Sequence, residues 1–492
     1  MQRPQKYVRN CLSNVLKVGQ DLLKVPKSVY KNHRELLVKN MKEQVKPEAK
    51  SIMLFTGVPT IPVDDQDIEV WVEQECNFWY LFGVEEPDCL GVIELDTGKT
   101  TLFPEKIPDA YRMWMVIHDD KYFLENYEVD NVIYSSHLQQ YLKEYNPSNI
   151  YLYDGVDSDS GLRPRLPDLK LLDGFKTNTT DLYEVLNEQR TVKDEIELEI
   201  MRHVTKIASD AHINVMQNVK PGLRENQMEA LFRFYCQERL GAKHKSYDCI
   251  CASGVGNATL HYNVNDKILG ESCLILNDMG TKYEGYCSDI TCTFPSNGKF
   301  TQKQKEIYNA VLDANLSVQQ QMGDGVSWED MHKLAESRII YHLQKLGLLI
   351  QDATVEEMVE NRVGAIFQPH GLGHFIGTRV HDVGGYNKGH PERHTEPGLK
   401  SLRTRRILKK NNVITTEPGL YFTDFILEQA YKNEKLAKYL VKEKIDEYKE
   451  VGGVRIEDDV IVLEKGCEVM SDVPRTVEEI ENCMANKPWK SA

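Results

Sequence analysis

The chain has 492 residues, 41% of them hydrophobic, which suits two or three cored domains and excludes wholesale disorder. Its 75 acidic against 60 basic residues give a net charge of −15, a surface that repels nucleic acid and anionic lipid in general. No window approaches the roughly 18 uninterrupted apolar residues of a membrane-spanning helix, so neither nucleic acid nor a membrane is an expected partner.

The first twenty residues, MQRPQKYVRNCLSNVLKVGQ, lack a continuous apolar run and do not read as a secretory signal. They are mildly basic and free of acids until Asp21, as in a mitochondrial transit peptide, but Arg is sparse and the cytoplasm is the expected location. The eleven cysteines are scattered, and Cys249 and Cys251 have the wrong spacing for a redox pair or a zinc knuckle. Reduced cytosolic thiols are expected. Asn178, Asn257 and Asn315 open glycosylation sequons, which carry no meaning without a secretory route.

In chain order, residues 27–44 read as an exposed helix and SIMLFTG (51–57) as a buried strand. WVEQECNFWYLFG (71–83) is aromatic enough for an interface or for a domain core. Residues 89–103 read as a hairpin turning at Asp96-Thr97-Gly98, and 150–155 as another strand. Alternating strands and helices predict an α/β domain over residues 1–185.

The second domain, 186–492, opens with a helix over 193–218, where Ile196, Ile200, Val204, Ile207, Ala211 and Val215 draw one apolar stripe ended by Pro221-Gly222. A helix over 225–239 follows, with Met228, Leu231, Phe232 and Tyr235 on one face, then two more over 302–321 and 328–346. Strand-like runs lie between and after them: ESCLILNDMG, EGYCSDITCTF, NVITTEPGLYF and GVRIEDDVIVL. Helices grouped apart from antiparallel strands predict an α+β domain. Residues 425–448 read as a charged helical insertion whose charges solvate an exposed face.

Four carboxylates, Asp278, Asp289, Glu417 and Glu457, sit in or beside these apolar runs, where a charge is costly unless compensated. Asp278 ends one strand and Asp289 falls within the next, with Gly280-Thr281-Lys282 able to turn the chain between them. Antiparallel pairing then sets both carboxylates on one face, and Cys287, Asp289, Thr291 and Thr293 share a side by the period of two. Arg455, Glu457 and Asp459 face one way and Val454, Ile456 and Asp458 the other, so Glu457 could pair with Arg455 or ligate beside it. HGLGH spaces His370 and His374 four apart, but its glycines argue against a helix, and one histidine could ligate while the other faces substrate.

A carboxylate-rich set with one imidazole suits two divalent cations, Mn²⁺ first, then Co²⁺, Fe²⁺ or Zn²⁺. A water between such cations becomes hydroxide near neutral pH, which points to metal-assisted hydrolysis of an amide, since the P-loop and GxGxxG phosphate signatures are absent.

The series DMG…SDIT, HGLGHFIG…VHDVGGY, EPGLYF and GGVRIEDDV resembles the dinuclear-metal pita-bread peptidases, and within them the prolidase (Xaa-Pro dipeptidase) branch. GLKSLRT and PRTVEEIE extend the likeness, LFGVEEPDCLGVIELDTGKTTLF carries a weaker one in the N-terminal part, and the insertion between Glu417 and Glu457 is of eukaryotic type. The resemblance implies a smaller α/β N-terminal domain, serving dimerisation and substrate access, before a pita-bread catalytic domain. It implies Asp278, Asp289, His374, Glu417 and Glu457 as metal ligands, with Glu417 also shuttling a proton. It further implies His381 stabilising the tetrahedral intermediate, His370 and His261 lining substrate subsites, Arg403 pairing with the dipeptide's carboxylate, and Tyr247 and Arg455 supporting the site. Asp382 could orient His381. The stretch from His261 to Asp278 is shorter than expected for that branch, so the subsite loop is expected to differ.

The implied reaction is hydrolysis of Xaa-Pro dipeptides by a homodimer, releasing proline. The competing readings are an aminopeptidase P acting on longer Xaa-Pro peptides, a methionine aminopeptidase, which would not carry so large an N-terminal domain, and a non-catalytic pita-bread binding protein.

Overall fold

The computed structural model describes residues 16–18, 22–70 and 73–490. The readings of the extreme N-terminus and of Trp71-Val72 lie largely outside these residues. Among the described residues no helix is long and apolar enough to cross a membrane. Contacts divide the chain after Arg190 into two compact units, with Lys17-Val18 and Leu22-Leu23 grouped with the C-terminal one. The boundary expected at 185/186 falls inside the helix Asp181–Thr191.

The N-terminal unit is built on a six-stranded mixed sheet ordered Asn131–Val132, Thr100–Phe103, Leu90–Glu94, Ile52–Thr56, Ile150–Leu152, Thr177–Asn178. Leu90–Glu94 and Thr100–Phe103 form the expected hairpin, closed by Gly98 at φ 76°. Both faces are covered: Met53 and Phe55 enter one apolar cluster, Ile52 and Leu54 the other, as strand alternation requires. The helix Ser28–Gln44 is not the exposed helix its charges imply. Val29, Tyr30, His33, Arg34, Leu37, Val38 and Met41 recur every three or four residues and bury one stripe. Phe78, Tyr80, Leu81 and Phe82, on the helix Cys76–Phe82, are buried, which gives that aromatic segment a core role.

The C-terminal unit is α+β. Its helix Glu195–Asn218 starts at Asp194, whose side chain accepts from the Ile196 and Glu197 amides while Glu197 accepts from the Asp194 amide. Helices Glu225–Leu240, Gln302–Gln321 and Trp328–Lys345 follow, and Gln302–Gln321 packs on Trp328–Lys345. In one sheet Leu274–Asp278 lies between Ile250–Ser253 and Thr291–Pro295; in another Asp458–Val462 lies between Val413–Thr416 and Cys467–Val469. An antiparallel bridge from Thr291 to Glu457 joins the strand systems. The insertion is three short helices, Asp424–Lys432, Glu434–Ala437 and Lys442–Tyr448, and it does more than solvate a face, because Leu427, Ala430, Tyr439, Ile445 and Tyr448 join the main core.

Candidate metal centre

Asp278 is opposite Thr291 in the ladder, and the Met279 amide donates to the Ile290 carbonyl at 3.1 Å. That register places Asp289 diagonally across from Asp278, on the same side. Asp289, expected within a strand, lies instead in irregular backbone between Tyr286–Cys287 and Thr291–Pro295, because its amide donates to the Asp459 carboxylate at 3.0 Å and not to a ladder carbonyl. The turn is also displaced. It lies at Glu284-Gly285 (φ 46° and 80°), since Gly280 packs against the neighbouring backbone, where a Cβ would sit 2.0 Å from the Ser288 carbonyl.

Glu417 follows the strand Val413–Thr416, and Glu457 sits in the break between Gly453–Arg455 and Asp458–Val462, its amide donating to the Thr291 carbonyl at 3.2 Å. HGLGH is non-helical, and the His374 amide donates to Thr415 Oγ1 at 3.1 Å. Four separate stretches of chain thus deliver the five groups.

Asp289, His374 and Glu457 each present an atom within 4.8 Å of the others. His374 Nε2 is 3.4 Å from Asp289 Oδ2 and 3.6 Å from Glu417 Oε1. His374 Nδ1 lies 3.0 Å from the Phe375 carbonyl, so its proton belongs there and the Nε2 lone pair faces the carboxylates. The Tyr247 hydroxyl is 2.6 Å from Oδ1 of both Asp278 and Asp289. Arg455 donates to Asp278 Oδ2 at 2.6 Å, so its partner is Asp278 and not the Glu457 weighed above. Glu457 instead accepts from Thr291 Oγ1 at 2.7 Å.

Burial, then repulsion from neighbouring carboxylates, raises Asp289 and Glu457 well above the ordinary carboxylate range. Burial pushes Glu417 up to about 7. Buried carboxylates that repel one another around an open imidazole nitrogen fit divalent cations, which would offset the charge at its source.

The five groups line one cavity of about 550 Å³ together with Tyr247, His261, His370, His381, Arg403 and Arg455; of the side chains given a role in the sequence, Asp382 alone is not in its lining. His370 uses both nitrogens: Nδ1 is 2.8 Å from the Gly371 carbonyl and Nε2 3.0 Å from the Tyr421 hydroxyl. Since Arg455 donates to that hydroxyl at 2.9 Å, the hydroxyl donates onward to His370. Burial lowers His370 to about 3 and His374 to about 4, so both imidazoles are neutral near neutral pH. His381 stands edge-on to His374 with ring centres 4.5 Å apart. His261 and His381 are exposed, and Arg403 is half-buried.

The model of metallopeptidase family M24 matches residues 199–464, and that of the aminopeptidase P N-terminal domain matches 30–153. The chain belongs to metallopeptidase family M24. Over 473 residues it is 43% identical to a Xaa-Pro dipeptidase of Mus musculus, covering 95% of each chain, with the same figures for that of Homo sapiens. A probable Xaa-Pro aminopeptidase of Coccidioides posadasii is 35% identical over 88% of this chain and 92% of its own. Among solved structures, Pseudomonas aeruginosa aminopeptidase PepP superposes with a TM-score of 0.77 at 29% identity, over 94% of this chain and 99% of that one. Escherichia coli aminopeptidase P with the inhibitor Pro-Leu gives 0.76 at 28%, with the same coverage. The pita-bread domain preceded by a smaller α/β domain is the architecture these structures share with it.

In this M24 metallopeptidase, three supporting residues escaped the sequence reading. Asp459 accepts from the Asp289 amide and from Thr205 Oγ1 at 2.9 Å, and burial pushes it up to about 7. Tyr421 links Arg455 to His370 as described. Arg475 donates to the Thr291 carbonyl and to Asp458 Oδ1, each at 2.7 Å, and to the Glu457 carbonyl, clamping the segments that carry Asp289 and Glu457. The available signal was charge inside apolar strands: Asp458 and Asp459 precede VIV, and a buried carboxylate there needs a donor.

Proposed function

We propose that this metallopeptidase hydrolyses Xaa-Pro dipeptides and releases proline, with two divalent cations, Mn²⁺ foremost, held by Asp278, Asp289, His374, Glu417 and Glu457. The observation that carries the substrate reading is Arg403 in the same cavity as the carboxylate cluster. A guanidinium fork matches the free carboxylate that a dipeptide, and not an internal peptide bond, presents close to its scissile bond. The similarity to the two Xaa-Pro dipeptidases supports the same reading.

When bound, the cations acidify a water and offset negative charge at the scissile carbonyl. Glu417 accepts the proton of the attacking water and passes it to the prolyl nitrogen as the C–N bond breaks. The substrate imide has no N–H, so the site needs no acceptor for one. His381 donates to the carbonyl oxygen as charge develops there. Tyr247 and Arg455 hold Asp278 in place, Tyr421 holds His370 neutral, and His370 and His261 line the subsites.

We further infer a cytoplasmic homodimer in which the N-terminal unit takes part in association. The described cysteines form no disulfide and most are buried, which supports the compartment, and the exposed Met113, Trp114 and Val116 give the N-terminal unit an apolar patch. Light scattering on the purified chain tests the dimer.

Incubating the metal-loaded protein with Gly-Pro should release free proline. No release with Mn²⁺, Co²⁺ or Zn²⁺ would end the proposal, and faster turnover of Gly-Pro-Ala than of Gly-Pro would move it to an aminopeptidase P.

A further inference from the structure

We propose that the buried Lys193–Asp382 ion pair positions His381, setting where its imidazole meets the substrate carbonyl. This inference rests on the role given to His381 above. Lys193 and Asp382 lie outside the ligand set and do not line the cavity.

His381 is exposed where it lines the cavity, and its ring meets that of His374. Where that ring starts from is set by its backbone, and the adjoining residue is the anchor. The sequence left Asp382 as a group that could orient His381. In the folded chain Asp382 Oδ2 meets Lys193 Nζ at 2.9 Å, and each side chain is only 1% exposed. The anchor therefore acts through the main chain.

The segment between the two histidines is closed on itself. The Asp382 amide donates to the Phe375 carbonyl at 2.8 Å, and the Gly377 amide to the Arg379 carbonyl at 3.1 Å. This brings His381 back beside His374, ring edge to ring face. Gly377 lies against the ion pair: a Cβ there would be 2.3 Å from Asp382 Oδ2 and 2.9 Å from Lys193 Nζ. Lys193 is itself fixed, its amide donating to the Asn411 carbonyl at 3.0 Å and its carbonyl accepting from Asn411 Nδ2 at 3.3 Å. Asn411 leads into Val413–Thr416, the strand that ends at Glu417. The pair thus ties the loop bearing His381 to the strand bearing Glu417, the group that handles the proton.

Burying two charges is expensive, and an apolar contact of similar shape would hold a loop with equal stability. What the pair adds is direction: a charge-assisted hydrogen bond fixes Asp382, and with it the neighbouring Cα of His381, more tightly than packing alone. Lys193 and Asp382 are therefore positioning residues.

The test replaces the pair by apolar groups, Lys193→Met/Asp382→Leu, so that no uncompensated charge is left to unfold the chain. Asp382→Asn, which keeps the volume, serves as the second probe. With the metal-loaded enzyme and Gly-Pro, both variants should lower kcat about 10- to 100-fold with little change in KM. In a His381→Ala background the same substitutions should lower kcat no further. Equal losses in both backgrounds would overturn the proposal, because a merely structural pair has no reason to act through His381. A second readout needs no turnover: the imidazole NMR signal of His381, identified by its disappearance in His381→Ala, should move in both variants while circular dichroism stays native. An unmoved signal would also overturn it. If wild-type protein releases no proline, the dipeptidase reading falls alone and the NMR comparison still decides the positioning.

Discussion

Asp289, one of the proposed ligands, is tied into the centre on three sides: its carboxylate faces Tyr247 and His374, and its amide is held by Asp459. Asp289→Ala should reduce bound Mn²⁺ per chain and lower kcat/KM on Gly-Pro by more than about 100-fold, exceeding the usual effect of losing an outer partner. Metal analysis beside the assay checks both. If Arg403 pairs with the substrate carboxylate as proposed, Arg403→Ala should raise KM about 10- to 100-fold, the worth of a charge-assisted hydrogen bond, with metal content unchanged. Two residues beyond Arg403, Arg405 donates to Glu329 at 2.8 Å, with Lys333 at 2.7 Å and His394 at 3.2 Å from the same carboxylate. Burial raises Glu329, but those partners outweigh it and hold the carboxylate at about 2, below its ordinary 4.5. A depressed carboxylate adds stability above its unfolded pKa, and that stability is lost as pH falls from about 4.5 toward 2. Glu329→Gln should therefore flatten this acid limb in urea midpoints measured against pH; parallel limbs would contradict it.

Among elements, the helix Glu195–Asn218 was readable almost to the residue, because its apolar stripe and its Asp194 cap are both local signals. Asp194→Ala should cost about 1 kcal/mol, read as a lower urea midpoint. The strand Thr291–Pro295 shows where local signals stop. Phe294 is fully buried, and Phe294→Ala should cost about 3–5 kcal/mol. Yet the late start of that strand, after Asp289, was not legible, because Asp459, 170 residues further along, captures the amide that would have extended the ladder. The helix Ser28–Gln44 failed the opposite way: its charges suggested an exposed surface, and the buried stripe beneath them carries Arg34 and His33 among its members. Long side chains can bury their stems, so charge count is a poor guide to burial.

For the whole molecule, a ligand that binds only the folded C-terminal unit should stabilise that unit by mass action. Mn²⁺ at about 100 times its dissociation constant adds about 2.7 kcal/mol, seen as an upward shift of the C-terminal transition in calorimetry and reversed by chelation. The sequence by itself determined the two-part order of the chain, the α+β character of its second part, the main helices, and all five residue types and positions of the candidate centre. Those rest on local periodicity and on charge in apolar runs, which a single segment displays, except that His374 was chosen over His370 by the family resemblance. Only the tertiary structure decided the partners: that Arg455 holds Asp278 and not Glu457, that Tyr421 fixes His370, and that Lys193 reaches Asp382. Each joins residues tens to hundreds of positions apart, and in a low-dielectric interior the winning partner of a charge is the one that geometry brings within hydrogen-bonding distance.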